Sequence, residues 1–270
     1  MRCYEVGPAR TATLFAVANL LQETAADHAQ ALWGAGCWTP SLMREQRIAF
    51  VLSKMSIRMD TALQWGSTVR VTTWFQEAGT LAARRDWVVS DAQSGVRLGA
   101  ATSTWLAFNL DTRRMARLPP ALRTYFVTAS PSPARFALGE AHAPEKLPEL
   151  GPDTACLVSS RARVRRCDLD MNHHVNNASY LAWIMDDVPE TLFQTALLES
   201  VDLEYRAECN FGDEIVSKVS LVHPDGSCLL PEEPLGGESL SFRHSLARAS
   251  DGTEVLRART CWRPHAAAHS

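Results

Sequence analysis

Apolar side chains recur at helical spacing twice along the chain, and each time a series of strand-like runs follows. Leu14, Val17, Ala18, Leu21, Ala25, Ala29 and Leu32 share one face at a period of about 3.6, with Thr13 placed to cap the first turn. Gly34, Gly36 and Pro40 break that helix. Ile48–Met59, Thr68–Gln76, Arg84–Ser90 and Leu98–Asn109 then read as strands rich in Val, Thr, Ile and Trp, separated by turns at Trp65-Gly66, Ala78-Gly79 and Ser94-Gly95. A second helix is predicted from Ala178, with Asn177 as its N-cap, Leu181, Ile184, Met185 and Val188 as its apolar face, and Val188-Pro189 as its stop. A strand over Leu157–Arg165 precedes it, and Ser200–Arg206, Glu214–Val222, Leu240–Ala249 and Glu254–Trp262 follow. In the last of these, Leu256, Ala258, Thr260 and Trp262 alternate with Arg257, Arg259 and Cys261, the pattern of a half-buried strand.

One helix and then several strands, in that order twice, describes an α+β chain built by duplication. Trp65-Gly66-x-x-Val69 matches Phe211-Gly212-x-x-Ile215, and Leu98-x-x-Ala101-x-Ser103-x-Trp105 matches Val255-x-x-Ala258-x-Thr260-x-Trp262. Residues 129–154 hold Ser130-Pro131-Ser132-Pro133, Pro144, Pro148 and Gly151-Pro152, too proline-rich for regular structure. The expected organisation is therefore an N-terminal domain over 1–128, a linker over 129–154, a C-terminal domain over 155–264 and a frayed tail over 265–270.

Composition narrows the classes. A 270-residue chain with 46% hydrophobic and 21% charged residues is an ordinary globular protein, and a formal charge of −3 gives no general drive toward nucleic acid or anionic membrane. No run reaches the ~18 apolar residues of a membrane span. The first residues, Met1 to Val6, form neither a secretory nor a transit segment, so an imported protein would carry its address ahead of Met1. Seven cysteines without a C-x-x-C pair suggest free thiols in a reducing compartment.

Asp168-Leu169-Asp170-Met171-Asn172-His173-His174-Val175-Asn176-Asn177 crowds two carboxylates, two imidazoles and three carboxamides into the approach to the second helix. There the helix dipole and unpaired backbone N–H groups favour a developing oxyanion. Asp168-x-Asp170-x-Asn172 begins like a calcium loop, but His173 and Ser179 stand where Gly and Glu are required. Adjacent histidines point apart, and no H-E-x-x-H helix supports a transition metal. No nucleophile elbow, dinucleotide loop or phosphate loop is present, so neither a serine hydrolase of that type nor a nucleotide cofactor is expected. A purely structural turn accounts for Asn177 and Asp168 but gives no use for His174. Glu204-Tyr205-Arg206-Ala207-Glu208-Cys209 places a second carboxylate beside a thiol; read alone, it is also an exposed strand end with Glu208 paired to an arginine.

These segments, with Tyr4-Glu5-Val6-Gly7, Arg10-Thr11-Ala12-Thr13, Ala18-Asn19-Leu20-Leu21-Gln22-Glu23-Thr24 and Arg84-Arg85-Asp86-Trp87, run in an order that resembles plant and algal acyl-acyl carrier protein (acyl-ACP) thioesterases. The resemblance implies a tandem (double) hot-dog fold, each repeat a long helix wrapped by an antiparallel sheet. It implies hydrolysis of long-chain acyl-ACP to free fatty acid and holo-ACP, ending fatty acid synthesis in the plastid stroma, with no cofactor or metal. Catalytic positions fall on Asp170, Asn172, His174 and Glu208, and Cys209 matches a cysteine once proposed as nucleophile. Ala207 and Asn210 depart from the family's commoner residues.

On this reading Glu208 and His174 activate water, the imidazole protonates the leaving thiolate, and Asn172 orients one of them. Asp170 either positions Asn172 or attacks directly, and Cys209 is the alternative nucleophile. The backbone N–H groups of Val175 and Asn176 are the expected oxyanion donors. Val17, Leu21 and Trp105 are candidates to line the acyl chain. Arg161, Arg163, Arg165 and Arg166, and secondarily Arg113, Arg114 and Arg117, are candidates to dock the acidic carrier. The motif leans toward the oleoyl-type branch, C16–C18. A homodimer stays open, as do an acyl-coenzyme A thioesterase, a hot-dog dehydratase and an acyl-binding double hot dog without activity.

Overall fold

A computed structural model describes residues 1–37, 39–139, 144, 146–150, 158–222 and 239–264. In chain order its elements are α1 (Leu14–Trp33), α2 (Ser41–Glu45), β1 (Ile48–Met59), β2 (Val69–Glu77), β3 (Ala82–Asp91), β4 (Arg97–Asn109), β5 (Arg114–Met115), α3 (Pro120–Ala129), β6 (Val158–Arg163), α4 (Asn177–Asp186), α5 (Glu190–Thr195), β7 (Ala196–Tyr205), β8 (Glu214–Val222), β9 (Leu240–Arg248) and β10 (Glu254–Pro264). Two compact units divide the chain, and one of the boundaries between them falls within residues 129–154. One gathers Met1–Ala18, Met59–Ser67 and Lys146–Ser270, the other Asn19–Arg58 and Thr68–Glu145.

In the second of these units the strand order is β2-β3-β4-β1, and in the first it is β8-β9-β10-β7, with β6 added outside β8. The same meander is thus built twice, antiparallel throughout β2-β3-β4 and β8-β9-β10-β7. Details repeat as well. The Trp105 indole N–H donates to Ser103 Oγ at 2.7 Å, and that of Trp262 to Thr260 Oγ1 at 3.1 Å. Gly66 and Gly212 both sit in the left-handed region, at φ 81° and 87°, which a Cβ would disfavour. This is the α+β double hot-dog architecture that the resemblance implies.

Arg84-Arg85-Asp86-Trp87 holds β3 on both faces. Arg84 forks onto Asp86 at 2.8 and 3.0 Å, and Asp86 accepts the Ala137 N–H at 3.1 Å. On the other face, Trp87 donates to the Leu21 carbonyl at 2.9 Å, and Arg85 reaches His28 Nδ1 and Thr73 Oγ1, each at 3.1 Å. Arg85 lies 3.7 Å over the Phe75 ring, and burial draws its pKa down to about 9. Around Phe75 pack Met43, Ile48, Leu118, Leu122 and Phe126; in the other unit Val188, Leu192, Val219, Phe242 and Trp262 form the corresponding cluster.

Thr13 caps α1 as expected, its Oγ1 accepting the Ala16 N–H at 3.1 Å. For the second helix the cap is Asn176 and not Asn177: its Oδ1 accepts from Ala178 N–H at 3.0 Å. That helix ends at Asp186, before Val188. Three short helices, α2, α3 and α5, begin after a proline without a side-chain cap and carry at least one buried apolar anchor each, such as Leu122 and Phe126 in α3. β7 starts at Ala196, earlier than the expected Ser200. Among the described residues of 130–150 there is neither helix nor strand. The Leu147 N–H there donates to Glu204 at 3.0 Å, and its carbonyl accepts from Arg257 at 3.1 Å. Leu157 and the tail lie outside the described residues, and no described helix is long and apolar enough to cross a membrane.

Candidate active site

The loop before α4 is closed by an antiparallel bridge between Leu169 and Val175. Asp170 N–H donates to the His174 carbonyl at 2.8 Å, His173 N–H to the Asp170 carbonyl at 3.1 Å, and Asn176 N–H to the Asp168 carbonyl at 2.8 Å. His173 takes the turn's left-handed position, φ 65°. Asp168 is buried and structural, accepting Arg165 N–H at 2.7 Å and the Arg165 guanidinium at 3.2 and 3.1 Å. Asp170 faces into the turn: its carboxylate accepts Asn172 N–H at 2.8 Å, Asn172 Nδ2 at 3.2 Å and His174 N–H at 3.3 Å. Asp170 thereby holds both neighbours at once.

This geometry corrects one expectation. The Asn176 N–H is committed to the Asp168 carbonyl within the loop. It is not available to an oxyanion, whereas the Val175 N–H has no acceptor among the described residues.

Glu208 follows the end of β7. Its carboxylate stands 3.9 Å from His174 Nδ1, the side chains being 42% and 45% exposed respectively. That separation suits an ion pair with a protonated ring and exceeds a direct hydrogen bond, and half-exposed side chains have the freedom to close it. The next residue is buried: Cys209 is 0% exposed. Burial raises the Cys209 pKa, the wrong direction for a nucleophile. Tyr205 OH donates to the Asn177 carbonyl at 3.2 Å, tying the end of β7 to the start of α4. The turn and the strand end therefore meet. Arg248 and Asp251, which no motif marks in the sequence, pair with each other, and Arg248 also donates to the Glu208 carbonyl.

Elsewhere, Val17 and Leu21 are buried on α1 and Trp105 is half-buried on β4. Of the arginines ahead of the site, Arg161 pairs with Glu214 at 3.8 Å and Arg165 with Asp168, while Arg166 lies 4.8 Å over the exposed Phe211 ring. Arg163 is exposed on β6, and Arg113, Arg114 and Arg117 fall in and beside β5.

Residues 1–126 match the acyl-ACP thioesterase N-terminal domain and residues 153–264 the acyl-ACP thioesterase C-terminal domain. The chain belongs to the acyl-ACP thioesterase family. It is 34% identical over 269 residues to the chloroplastic oleoyl-acyl carrier protein thioesterase 1 of Arabidopsis thaliana, covering 97% of this chain and 74% of that one. Against the chloroplastic palmitoyl-acyl carrier protein thioesterase of Cuphea hookeriana it is 34% identical over 270 residues, covering 98% and 61%. A solved structure, the 12:0-ACP thioesterase from Umbellularia californica, superposes with a TM-score of 0.84 at 31% identity, covering 98% of this chain and 91% of that one. As an acyl-ACP thioesterase the protein is a thioester hydrolase, and the turn before α4 with the end of β7 is where its polar groups converge.

Proposed function

We propose that this thioesterase hydrolyses long-chain acyl-ACP, C16–C18, by direct attack of water, and that it works in the plastid stroma. The observation that carries the catalytic part is the approach of Glu208 to His174 Nδ1 at 3.9 Å beside a helix N-terminus. Glu208 closes on the Nδ1–H and holds that tautomer, leaving Nε2 to take a proton from water as it attacks the carbonyl carbon. The tetrahedral oxyanion meets the Val175 N–H and the positive end of α4; one such donor is worth ~3 kcal/mol in the transition state. Collapse breaks the C–S bond, and the imidazolium returns its proton to the departing sulfur. Asn172, gripped by Asp170, orients the water. Asp170 is a positioning group in this scheme, because three donors already occupy its carboxylate. Cys209 packs and does not attack.

Val17, Leu21 and Trp105 are proposed to line the path of the acyl chain, and Arg163 and Arg166 to meet the carrier, since Arg161 and Arg165 have carboxylates of their own. Relatives named for oleoyl and palmitoyl substrates, and named chloroplastic, support the long-chain and plastid assignments.

The test compares thiol release from C12 to C18 acyl-ACP and acyl-coenzyme A. Highest kcat/KM for a C16 or C18 carrier substrate is expected; preference for coenzyme A or a C12 chain would overturn the substrate assignment. Single turnover in ¹⁸O-water is expected to put label into the fatty acid, and label found instead on Asp170 would make that carboxylate the nucleophile.

A further inference from the structure

Glu208 lies on an irregular stretch where no strand ladder fixes it: pairing of β7 with β10 ends at Tyr205 and Leu256, and the last backbone tie before it is Arg206 N–H to the Val255 carbonyl at 3.0 Å, with a long 3.5 Å contact from Ala207. Its main chain is held from elsewhere. Arg248, at the end of β9, donates from Nη1 to the Glu208 carbonyl at 3.0 Å across 40 residues of sequence. The other edge of the same guanidinium forks onto Asp251, Nε to Oδ1 at 3.2 Å and Nη2 to Oδ2 at 3.0 Å. Asp251 is itself anchored, accepting the Thr253 N–H at 3.0 Å. A planar guanidinium held along one edge aims its remaining N–H in one direction, which an ammonium cannot do.

The hairpin does not need this arginine to form. The β3–β4 turn has the same frame: Asp91 N–H to the Val96 carbonyl at 2.9 Å and Gly95 N–H to Asp91 at 3.0 Å, against Arg248 N–H to Thr253 at 2.9 Å and Gly252 N–H to Arg248 at 2.9 Å. There the position of Arg248 is taken by Asp91, which turns back on its own loop and accepts from Gln93 N–H, Ser94 N–H and Ser94 Oγ at 3.1, 2.7 and 2.8 Å. One copy of the turn is self-contained, and the other reaches out to the residue beside His174.

We propose that Arg248, aimed by Asp251, is a positioning residue that sets where the Glu208 carboxylate stands relative to His174. The inference rests on the catalytic role proposed for Glu208. It is tested with the full chain on an acyl-ACP substrate, comparing Arg248→Ala, Arg248→Lys, Asp251→Asn, Glu208→Ala and the Arg248→Ala/Glu208→Ala pair, with Asp91→Ala as the control turn. Arg248→Ala and Arg248→Lys are expected to lower kcat by about 10²-fold, the penalty for misplacing a catalytic group by about 1 Å, with KM within about 2-fold. Methylguanidinium added to Arg248→Ala restores part of kcat and does nothing for Glu208→Ala. The pair is no slower than Glu208→Ala alone, because the arginine acts only through that carboxylate. Asp91→Ala keeps its kcat.

Wild-type kcat in Arg248→Ala beside an inactive Glu208→Ala overturns this inference and leaves the mechanism standing. A pair slower than Glu208→Ala by the full Arg248→Ala factor overturns it too. An active Glu208→Ala overturns the mechanism and this inference together. Should Arg248→Ala lack a cooperative melt, Arg248→Lys and Asp251→Asn carry the same comparison, and full activity in both overturns the proposal.

Discussion

The loops that lead into α1 and α4 are one structure made twice, and only one of them carries the residues proposed for catalysis. Val6 bridges Ala12 as Leu169 bridges Val175. Gly7 N–H to Thr11 at 2.9 Å, Arg10 N–H to Gly7 at 2.9 Å and Thr13 N–H to Glu5 at 3.0 Å repeat the bonds made by Asp170, His173 and Asn176. Arg10, at φ 58°, takes the left-handed place of His173. Even the buttress recurs: Arg2 N–H to Glu5 Oε2 at 2.6 Å answers Arg165 N–H to Asp168 Oδ2 at 2.7 Å. At the positions of Asp170, Asn172, His174 and Glu208 the first copy has Gly7, Ala9, Thr11 and Ala62. The copies also differ in how they close. In the first, Ala12 N–H donates to the Leu63 carbonyl and Trp65 N–H to the Arg10 carbonyl, both at 2.8 Å, zipping the loop to the chain after β1. In the second, the Val175 and Phe211 amides make no such bonds among the described residues, so the loop and the end of β7 part where His174 and Glu208 face each other. The backbone supplies a frame that is indifferent to function; in the proposed mechanism, four side chains and an opened seam supply the chemistry.

The comparison breaks most visibly if the second copy is rewritten as the first. His174→Thr and Glu208→Ala, each installing the residue of the inert loop, are expected to lower kcat by about 10²–10⁴-fold. Their thermal midpoints should barely move, because the loop's closing bonds are made by backbone. A midpoint that falls in step with activity would return the cluster to a structural turn. Asp170→Ala comes next. Gly7 shows that the loop closes without a carboxylate there, so the variant folds but releases Asn172, and kcat is expected to fall by about 10²-fold. Adding Asn172→Ala should cost little more, since both substitutions remove one function. Independent, multiplying losses would separate the two residues.

Much of this frame could be read from the chain itself. Most strand boundaries were legible to within a residue or two, because runs rich in Val, Thr, Ile and Trp are bounded by turn residues, and Gly66 and Gly212 mark the same turn in both halves. What escaped was set by contacts distant in sequence. α3 opens on Pro119-Pro120 without a capping side chain, and Leu122 and Phe126 hold it by packing alone. Between Asn176 and Asn177 composition offers no choice of cap; the bridge from Leu169 to Val175 makes it. The same bridge commits the Asn176 N–H, which a helix-start argument leaves available. Arg2-x-x-Glu5 and Arg165-x-x-Asp168, equally spaced before their helices, mark the loops as copies.

Cys209 sharpens the comparison at a smaller scale. Its counterpart in the first copy is Leu63, also buried, at 2% exposure, a side chain with no chemistry at all. A position filled by leucine in one copy and by a buried thiol in the other is a packing position. Cys209→Ala should keep activity within about 3-fold while lowering stability by about 2 kcal/mol through the lost sulfur and the cavity it leaves. Loss of activity with stability intact would restore the thiol as a nucleophile.

The finest difference concerns pH. His244 on β9 faces Ala258 as Trp87 on β3 faces Ala101, so one copy buries an imidazole where the other buries an indole. The ring meets Thr260 Oγ1 at 3.0 Å, and burial pushes its pKa down to about 3. A depressed folded pKa means that below about pH 6.5 the unfolded chain takes up a proton that the folded chain refuses, so stability present at neutral pH is lost as pH falls. The loss is below about 1 kcal/mol at pH 6 and approaches about 1.4 kcal/mol per unit beneath that. His28, held down to about 4 by burial and by Arg85, adds in the same direction. Urea midpoints between pH 7.5 and 5 should therefore fall more steeply for the natural chain than for His244→Gln, whose amide keeps a bond to Thr260 without titrating. Equal slopes would mean that the imidazole is not the group that distinguishes the acid response of the second copy.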